Sequence, residues 1–196
     1  MEHKNIVATI YLKDGMAVKD PAHTDEKQDV LELARLYNDS GIDKIICYDL
    51  SDEDEEHEKN ILAIREINRN IEIKTCGGGN IKRLEDVKKY LYAGCVEVIL
   101  NGSKPSAVEI LNEASARFGS EKILVSLTTV DFLFKTKDIL EDHVHELVIY
   151  NRALLDSIEG ITNVPYIVDV DSYDIEDIAT LLKSDKELTQ YTKDVL

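Results

Sequence analysis

The chain has 196 residues, 43% of them hydrophobic, with 23 Lys+Arg against 39 Asp+Glu and a formal net charge of -16. That length suits one domain with a sizeable core. The charge excludes nucleic acid and anionic membrane surfaces as partners unless basic residues gather on one face, and here they are scattered among acids. No apolar run approaches the ~20 residues that span a bilayer, and the start "MEHKNIV" is not a signal peptide. Cys47, Cys76 and Cys95 are odd in number and lack the spacing of a zinc set. They are expected as small core hydrophobes in a reducing cytoplasm, with no metal and no cofactor implied.

Apolar, β-branched runs alternate with helix-patterned runs along the chain. "NIVATIYL" reads as strand one. "DVLELARLYNDSG" has helical spacing and ends on Gly41. "KIICYDL" is strand two. "SDEDEEHEKNILAIREIN" is a helix with Ser51 as its expected N-cap and an acidic first turn, which suits the helix dipole. "IEIKTC" is strand three and "IKRLEDVKKYLYAG" its helix. "VEVIL" is strand four, and "KPSAVEILNEASARFG" its helix, with Pro105 in the first turn. "KILVSL", "ELVIY" and "PYIVDV" are strands five, six and seven. Strands separated by single helices imply βαβ units with parallel pairing, and seven of them in a row favour a TIM-type (β/α) barrel over an open sheet.

That barrel class takes about 250 residues, and after strand seven only two helix-like stretches follow. The expected fold is therefore an incomplete barrel of about seven β/α units. Residues 1–196 read as a single barrel-type domain cut from a longer chain. Strands one and seven should each leave an unpaired edge, covered by a second copy or by Lys186–Leu196, where Leu188, Tyr191, Val195 and Leu196 stand at helical spacing.

Gly77, Gly78 and Gly79 lie where strand three turns into a helix. Glycine there lets backbone N–H groups approach a phosphate at a positive helix end; a tight turn without ligand is the other reading. Further residues fall at successive strand ends: "YLKDGMAVK", "SGIDKIICYDL", "CGGGNI" and "VILNGS". Together they make the chain resemble the cyclase subunit of imidazole glycerol phosphate synthase and its sister, the phosphoribosylformimino-AICAR-phosphate isomerase, two (β/α)₈ barrels of histidine biosynthesis. The resemblance runs from about Asn5 to Leu127 and fades beyond. It implies a phosphate-binding set of Gly77, Gly78, Gly79, Asn101, Gly102 and Ser103, in which Gly102 replaces the family's threonine. It also implies that Lys19 and Asp49 are retained family positions. Asp49 is expected to orient Lys19 or to cap a helix.

The catalytic positions depart from the pattern. The family carries Asp at the end of strand one, where this chain has Tyr11. Thr128 stands at the strand-five position, as in the isomerase, but the isomerase also needs the strand-one Asp. A tyrosine with a pKa near ~10 cannot take a proton at neutral pH as a carboxylate does. The half-barrel repeat of the family places Val168, Asp169, Val170 and Asp171 opposite Gly77 to Asn80, so acids stand where the second phosphate would sit. A solvated turn or a Mg²⁺-binding pair are the two readings of those acids.

Elsewhere the signals are weaker. His57, in "DEDEEHEK", is expected to be solvated, and His143 and His145 to lie on the surface. His3 and His23 have no expected partner, and Phe132 and Phe134 are expected in the strand-five loop or plugging the barrel mouth. Three functions remain open. One is a non-catalytic histidine-biosynthesis barrel that scaffolds, dimerises or docks a larger enzyme, such as a fused phosphoribosyl-AMP cyclohydrolase/phosphoribosyl-ATP pyrophosphohydrolase. Another is a module binding a phosphorylated sugar or nucleotide metabolite through the surviving half-site. The third is an active isomerase or cyclase with rearranged groups.

Overall fold

The computed structural model describes residues 7–150, 152–158 and 161–168. Seven parallel strands alternate with helices in chain order. β1 (Val7–Lys13) turns through β2 (Met16–Val18) and β3 (Lys27–Gln28) into α1 (Val30–Asp39). Then come β4 (Lys44–Asp49), α2 (Asp54–Asn70), β5 (Lys74–Gly78), α3 (Leu84–Tyr92), β6 (Glu97–Asn101), α4 (Ala107–Phe118) and β7 (Ile123–Leu127). The short helices α5 (Asp131–Thr136) and α6 (Leu140–His143) lead to β8 (Glu146–Ile149), and α7 (Leu155–Ile158) to β9 (Tyr166–Val168). The sheet order is β3-β2-β1-β4-β5-β6-β7-β8-β9, and every pair from β1–β4 onward is parallel.

Both faces of the strands are buried, as a parallel sheet requires. Ile10, Leu12, Ile45, Cys47, Val98, Leu100, Val125, Leu127 and Ile149 face the helices and meet Ile64, Ile67, Val87, Tyr90 and Leu111. Ile46, Cys76, Ile99, Leu124, Val148 and Ile167 form a second cluster on the other face. Each fully buried aliphatic side chain contributes about 1.5–3 kcal/mol. All three cysteines are buried thiols in this core.

The sheet is curled. In a flat sheet β4 and β8 would lie about 19 Å apart, four strand spacings. Yet Lys44 Nζ on β4 reaches Glu146 Oε2 on β8 at 3.2 Å, and the rings of Tyr48 and Tyr150 are 6.4 Å apart. The second cluster is thus the inside of a TIM-type α/β barrel wall. At its floor Lys44 also meets Glu97 Oε2 at 2.6 Å. Burial draws the Lys44 pKa down, but its hydrogen bond to Glu97 and the charge of Glu146 outweigh it and leave the ammonium raised.

Several expectations change. β1 does not present an unpaired edge throughout: Tyr11–Lys13 pair antiparallel with Met16–Val18 through a two-residue Asp14–Gly15 turn with φ of 54° and 76°. Both residues having positive φ is the hairpin geometry that Asp-Gly favours. The N-cap of α2 is Glu53, not Ser51, because Ser51 is drawn inward by Asp49. Phe132 is in the core, whereas Phe134 is 64% exposed and plugs nothing. Asp169, Asp171, His3 and Lys186–Leu196 lie outside the described residues.

Candidate functional site

The turns after β4, β5 and β6 enclose a cavity of about 460 Å³, lined by Tyr48, Asp49, Ser51, Asp52, Gly79, Asn80, Ile81, Lys82, Ile99, Asn101, Lys104, Pro105 and Ser106. This is the C-terminal rim of the strands, where ligands of α/β barrels bind.

The three glycines answer to three neighbours. A Cβ on Gly77 would lie 2.2 Å from Tyr90 Cδ1, so this glycine makes room for the Tyr90 ring. A Cβ on Gly78 would press on Ile99 at 3.0 Å. Gly79 has φ +91°, and a Cβ there would sit 2.0 Å from the Asp49 carbonyl oxygen, so no other residue fits. Of the three, Gly79 lines the cavity. Asn80 follows at φ +47°, and its side chain donates to Ser51 Oγ at 2.8 Å. Two successive left-handed residues need such fixing. The N–H groups of Lys82 and Arg83 donate to Asp86 Oδ2, at 3.0 and 3.2 Å. The N–H groups of Asn80 and Ile81 have no acceptor among the described residues.

Behind this turn lies a buried polar network. The Asp49 side chain is 0% exposed. Its Oδ1 accepts from Ser51 N at 2.7 Å and Asn60 Nδ2 at 2.6 Å, and its Oδ2 from His57 Nδ1 at 2.5 Å. Burial pushes Asp49 up, but the hydrogen bonds from His57, Asn60 and Ser51 outweigh it and hold the carboxyl below its usual value. Ionised Asp49 only accepts, so His57 carries its hydrogen on Nδ1; His57 Nε2 is buried without a partner among the described residues. Asn60 also donates to Leu12 O and accepts from Gly15 N at 2.7 Å, which ties in the β1–β2 hairpin. The Tyr90 hydroxyl lies 2.6 Å from Gly79 O, 3.0 Å from Gly78 O and 3.4 Å from Asp49 Oδ2. Burial, with the Asp49 charge adding to it, pushes the Tyr90 phenol well up, so it stays a donor.

The turn after β6 is closed on itself. Asn101 Oδ1 accepts from Ser103 N at 2.9 Å, Gly102 N donates to Ser126 O at 2.9 Å, and the Ser103 hydroxyl pairs with that of Thr128 at 2.6 Å. The Gly102 and Ser103 N–H groups are thus engaged within the protein. This side offers the cavity Asn101, Lys104 and Ser106.

Tyr11 is half-buried on β1, its ring 6.1 Å edge-on from Tyr48, which in turn meets Tyr150. Burial, with Asp49 nearby, raises the Tyr48 phenol. Thr128 is exposed just past β7. Tyr11 thus presents a phenol on β1 and Thr128 a hydroxyl just past β7. Asp14 pairs with Lys27 and Lys59 on the outer side of the hairpin, and Asp52 at the cavity rim is held by Lys13 at 3.2 Å.

Asp49 neither orients Lys19 nor caps a helix: its partners are Ser51, Asn60 and His57, the N-cap of α2 is Glu53, and Lys19 is exposed beside Glu26 at 3.7 Å. His57 is 2% exposed rather than solvated. The helical period carried that signal, since His57, Asn60, Ile61, Ile64 and Ile67 share one face of α2 and all are buried. His23 has a partner in Asp20 at 2.9 Å. His143 bonds Ser115 Oγ at 2.5 Å while His145 lies 3.8 Å from Glu97, so the two do not converge. Among the described residues no three or more His, Cys, Asp or Glu side chains gather to hold a metal, and no helix is long and apolar enough to cross a membrane.

A family described as "Histidine biosynthesis protein" matches residues 5–183. Among curated proteins, the chain is similar to imidazole glycerol phosphate synthase subunit HisF of Campylobacter lari, 27% identical over 75% of this chain and 54% of that one. The same subunit of Halalkalibacterium halodurans is 32% identical over 63% and 50%, and that of Trichormus variabilis 33% over 65% and 50%. The chain spans about half the length of these relatives.

Proposed function

Since the chain belongs to the histidine biosynthesis protein family, we propose that it binds the phosphate group of a small phosphorylated metabolite at the rim of β4, β5 and β6, without performing the cyclase or isomerase reaction. The observation that carries this reading is a split between two groups of family positions. On the β4–β6 side, the open N–H groups of Asn80 and Ile81 share the cavity with the cationic side chains of Lys82 and Lys104. Two cations with backbone donors suit a phosphate monoester. On the β1 and β7 side, Tyr11 stands where the family uses a carboxylate for proton transfer, and Thr128 matches the isomerase only in the position that needs that strand-one carboxylate as its partner. The relatives are named as subunits of imidazole glycerol phosphate synthase, which supports a phosphorylated ligand here.

The test is calorimetric titration of the full chain with ribose 5-phosphate and with ribose. Binding of the first and not the second, lost in the Lys82→Glu/Lys104→Glu double variant, is the expected result. Turnover of either family substrate, lost in Tyr11→Phe, would overturn the non-catalytic half.

A second reading, a scaffold for other histidine-biosynthesis domains such as the cyclohydrolase/pyrophosphohydrolase fusion, or a homodimer, draws support from Leu62 at 54% and Tyr92 at 71% exposure on the neighbouring helices α2 and α3. Sedimentation of a Leu62→Ser/Tyr92→Ser variant tests it; an unchanged association state would count against that face.

A further inference from the structure

We infer that Tyr90, His57 and Asp49 are positioning residues that aim one backbone donor, the N–H of Asn80, into the cavity. The inference rests on the phosphate-binding reading above. Its basis is the geometry of a single peptide group. The Gly79–Asn80 peptide is trans, as are all those described. In a trans peptide the carbonyl and the following N–H point in opposite directions. The Gly79 carbonyl is anchored on the Tyr90 hydroxyl at 2.6 Å, and Tyr90 is 0% exposed in the core between sheet and helices. The Asn80 N–H therefore points away from that core, on the side where Asn80 lines the cavity.

His57 and Asp49 decide where the single Tyr90 hydrogen goes. Asp49 Oδ2 lies 3.4 Å from the hydroxyl and is the stronger acceptor by charge. It already receives the His57 Nδ1 hydrogen at 2.5 Å, while Oδ1 receives two more. With three donors already on the carboxylate and its contact to the phenol the longest of the three, the phenol hydrogen goes to Gly79 O at 2.6 Å in preference to Gly78 O at 3.0 Å or Asp49 Oδ2. Removing the His57 donor frees Oδ2 to capture it, and the Gly79 carbonyl loses its anchor. The peptide is then free to turn over, which would put a carbonyl oxygen toward an anion. None of the three side chains needs to touch the ligand for this effect. Asn80 adds a restraint from the other side through Ser51 Oγ.

The experiment uses the full chain as wild type, Tyr90→Phe, His57→Leu and the double variant. Affinity for ribose 5-phosphate is read by calorimetry, and the orientation of the Asn80 N–H by its residual dipolar coupling without ligand. Each single change should weaken binding by about tenfold and alter the Asn80 coupling. The double variant should be no weaker than the worse single one, because both act through one hydrogen bond. Ile64→Val, which trims the same core without a polar partner, should lower the melting temperature and leave both readouts unchanged. Single variants within twofold of wild type, with an unchanged Asn80 coupling, would overturn the inference. If wild type does not bind ribose 5-phosphate, the phosphate reading fails and the Asn80 coupling alone decides the positioning role. If Tyr90→Phe does not fold, His57→Leu carries the same test.

Discussion

The two ends of β4 each bury a charge, and they neutralise it in opposite ways. At the C-terminal end, Asp49 faces the helices and is held by three hydrogen-bond donors: Ser51 N, Asn60 and the His57 ring. At the N-terminal end, Lys44 faces the barrel interior and is held by two counter-ions, Glu97 and Glu146. Hydrogen bonds from dipoles are directional, so the Asp49 end fixes the shape of three turns. Ion pairs are strong but less directional, so the Lys44 end fixes the distance between strands across the curl. Charge on β4 thus serves loop geometry at the rim and wall curvature at the floor.

The sharpest way to break the comparison is Asp49→Ala. It strands three donors in the core and should cost about 3–5 kcal/mol, read as a lowered denaturant midpoint. Lys44→Met should follow at about 3 kcal/mol, because it leaves two carboxylates buried together. Adding Glu97→Gln and Glu146→Gln to it should restore most of that loss, whereas no single substitution of a donor should rescue Asp49→Ala. An Asp49→Ala chain as stable as wild type would show that the rim network is ornamental.

Acid sharpens the contrast, because the two carboxyls shift in opposite senses. Asp49 is depressed in the folded chain, so the stability it contributes is present above its unfolded pKa near ~3.9 and is lost as pH falls below that. Glu146 is raised, by burial first, against the opposing pull of Lys44. Its charged form is a cost at neutral pH, and that cost is relieved as pH falls through its raised pKa, fully so below the unfolded value near ~4.3. Denaturation series from pH 7 to pH 3 should therefore show Glu146→Gln losing the gain on the way down and Asp49→Asn losing the later fall. The smallest effect is expected at the exposed Phe134: Phe134→Ser should move stability by no more than about 0.5 kcal/mol.

Most of the wall was legible in the sequence because the parallel strands other than β5 carry Ile, Val or Leu in β-branched apolar runs. The hairpin was not, since β2 and β3 have three and two residues and show no period. The Asp14–Gly15 pair was the available signal, masked by its use as part of a family pattern. His57 was misjudged from its acidic neighbours, although its helical spacing with Ile61 and Ile64 marks the buried face. Gly77 was read for a ligand or a tight turn, yet its missing Cβ is required by Tyr90, thirteen positions away in sequence and in contact only after α3 packs. The curl has no sequence period, because it depends on which interior side chains meet across the wall.

Sheet order that follows chain order also bears on how the molecule is made. Each parallel strand from β4 onward docks on the parallel strand synthesised just before it, so each step closes the loop of a single β/α unit, a smaller entropy cost than pairing strands distant in sequence. The Lys44–Glu146 pair is the exception, spanning 102 positions. It forms only once β5, β6 and β7 have been laid down, and so acts as a late latch. Changes at that pair should quicken unfolding while leaving the rate of folding nearly untouched.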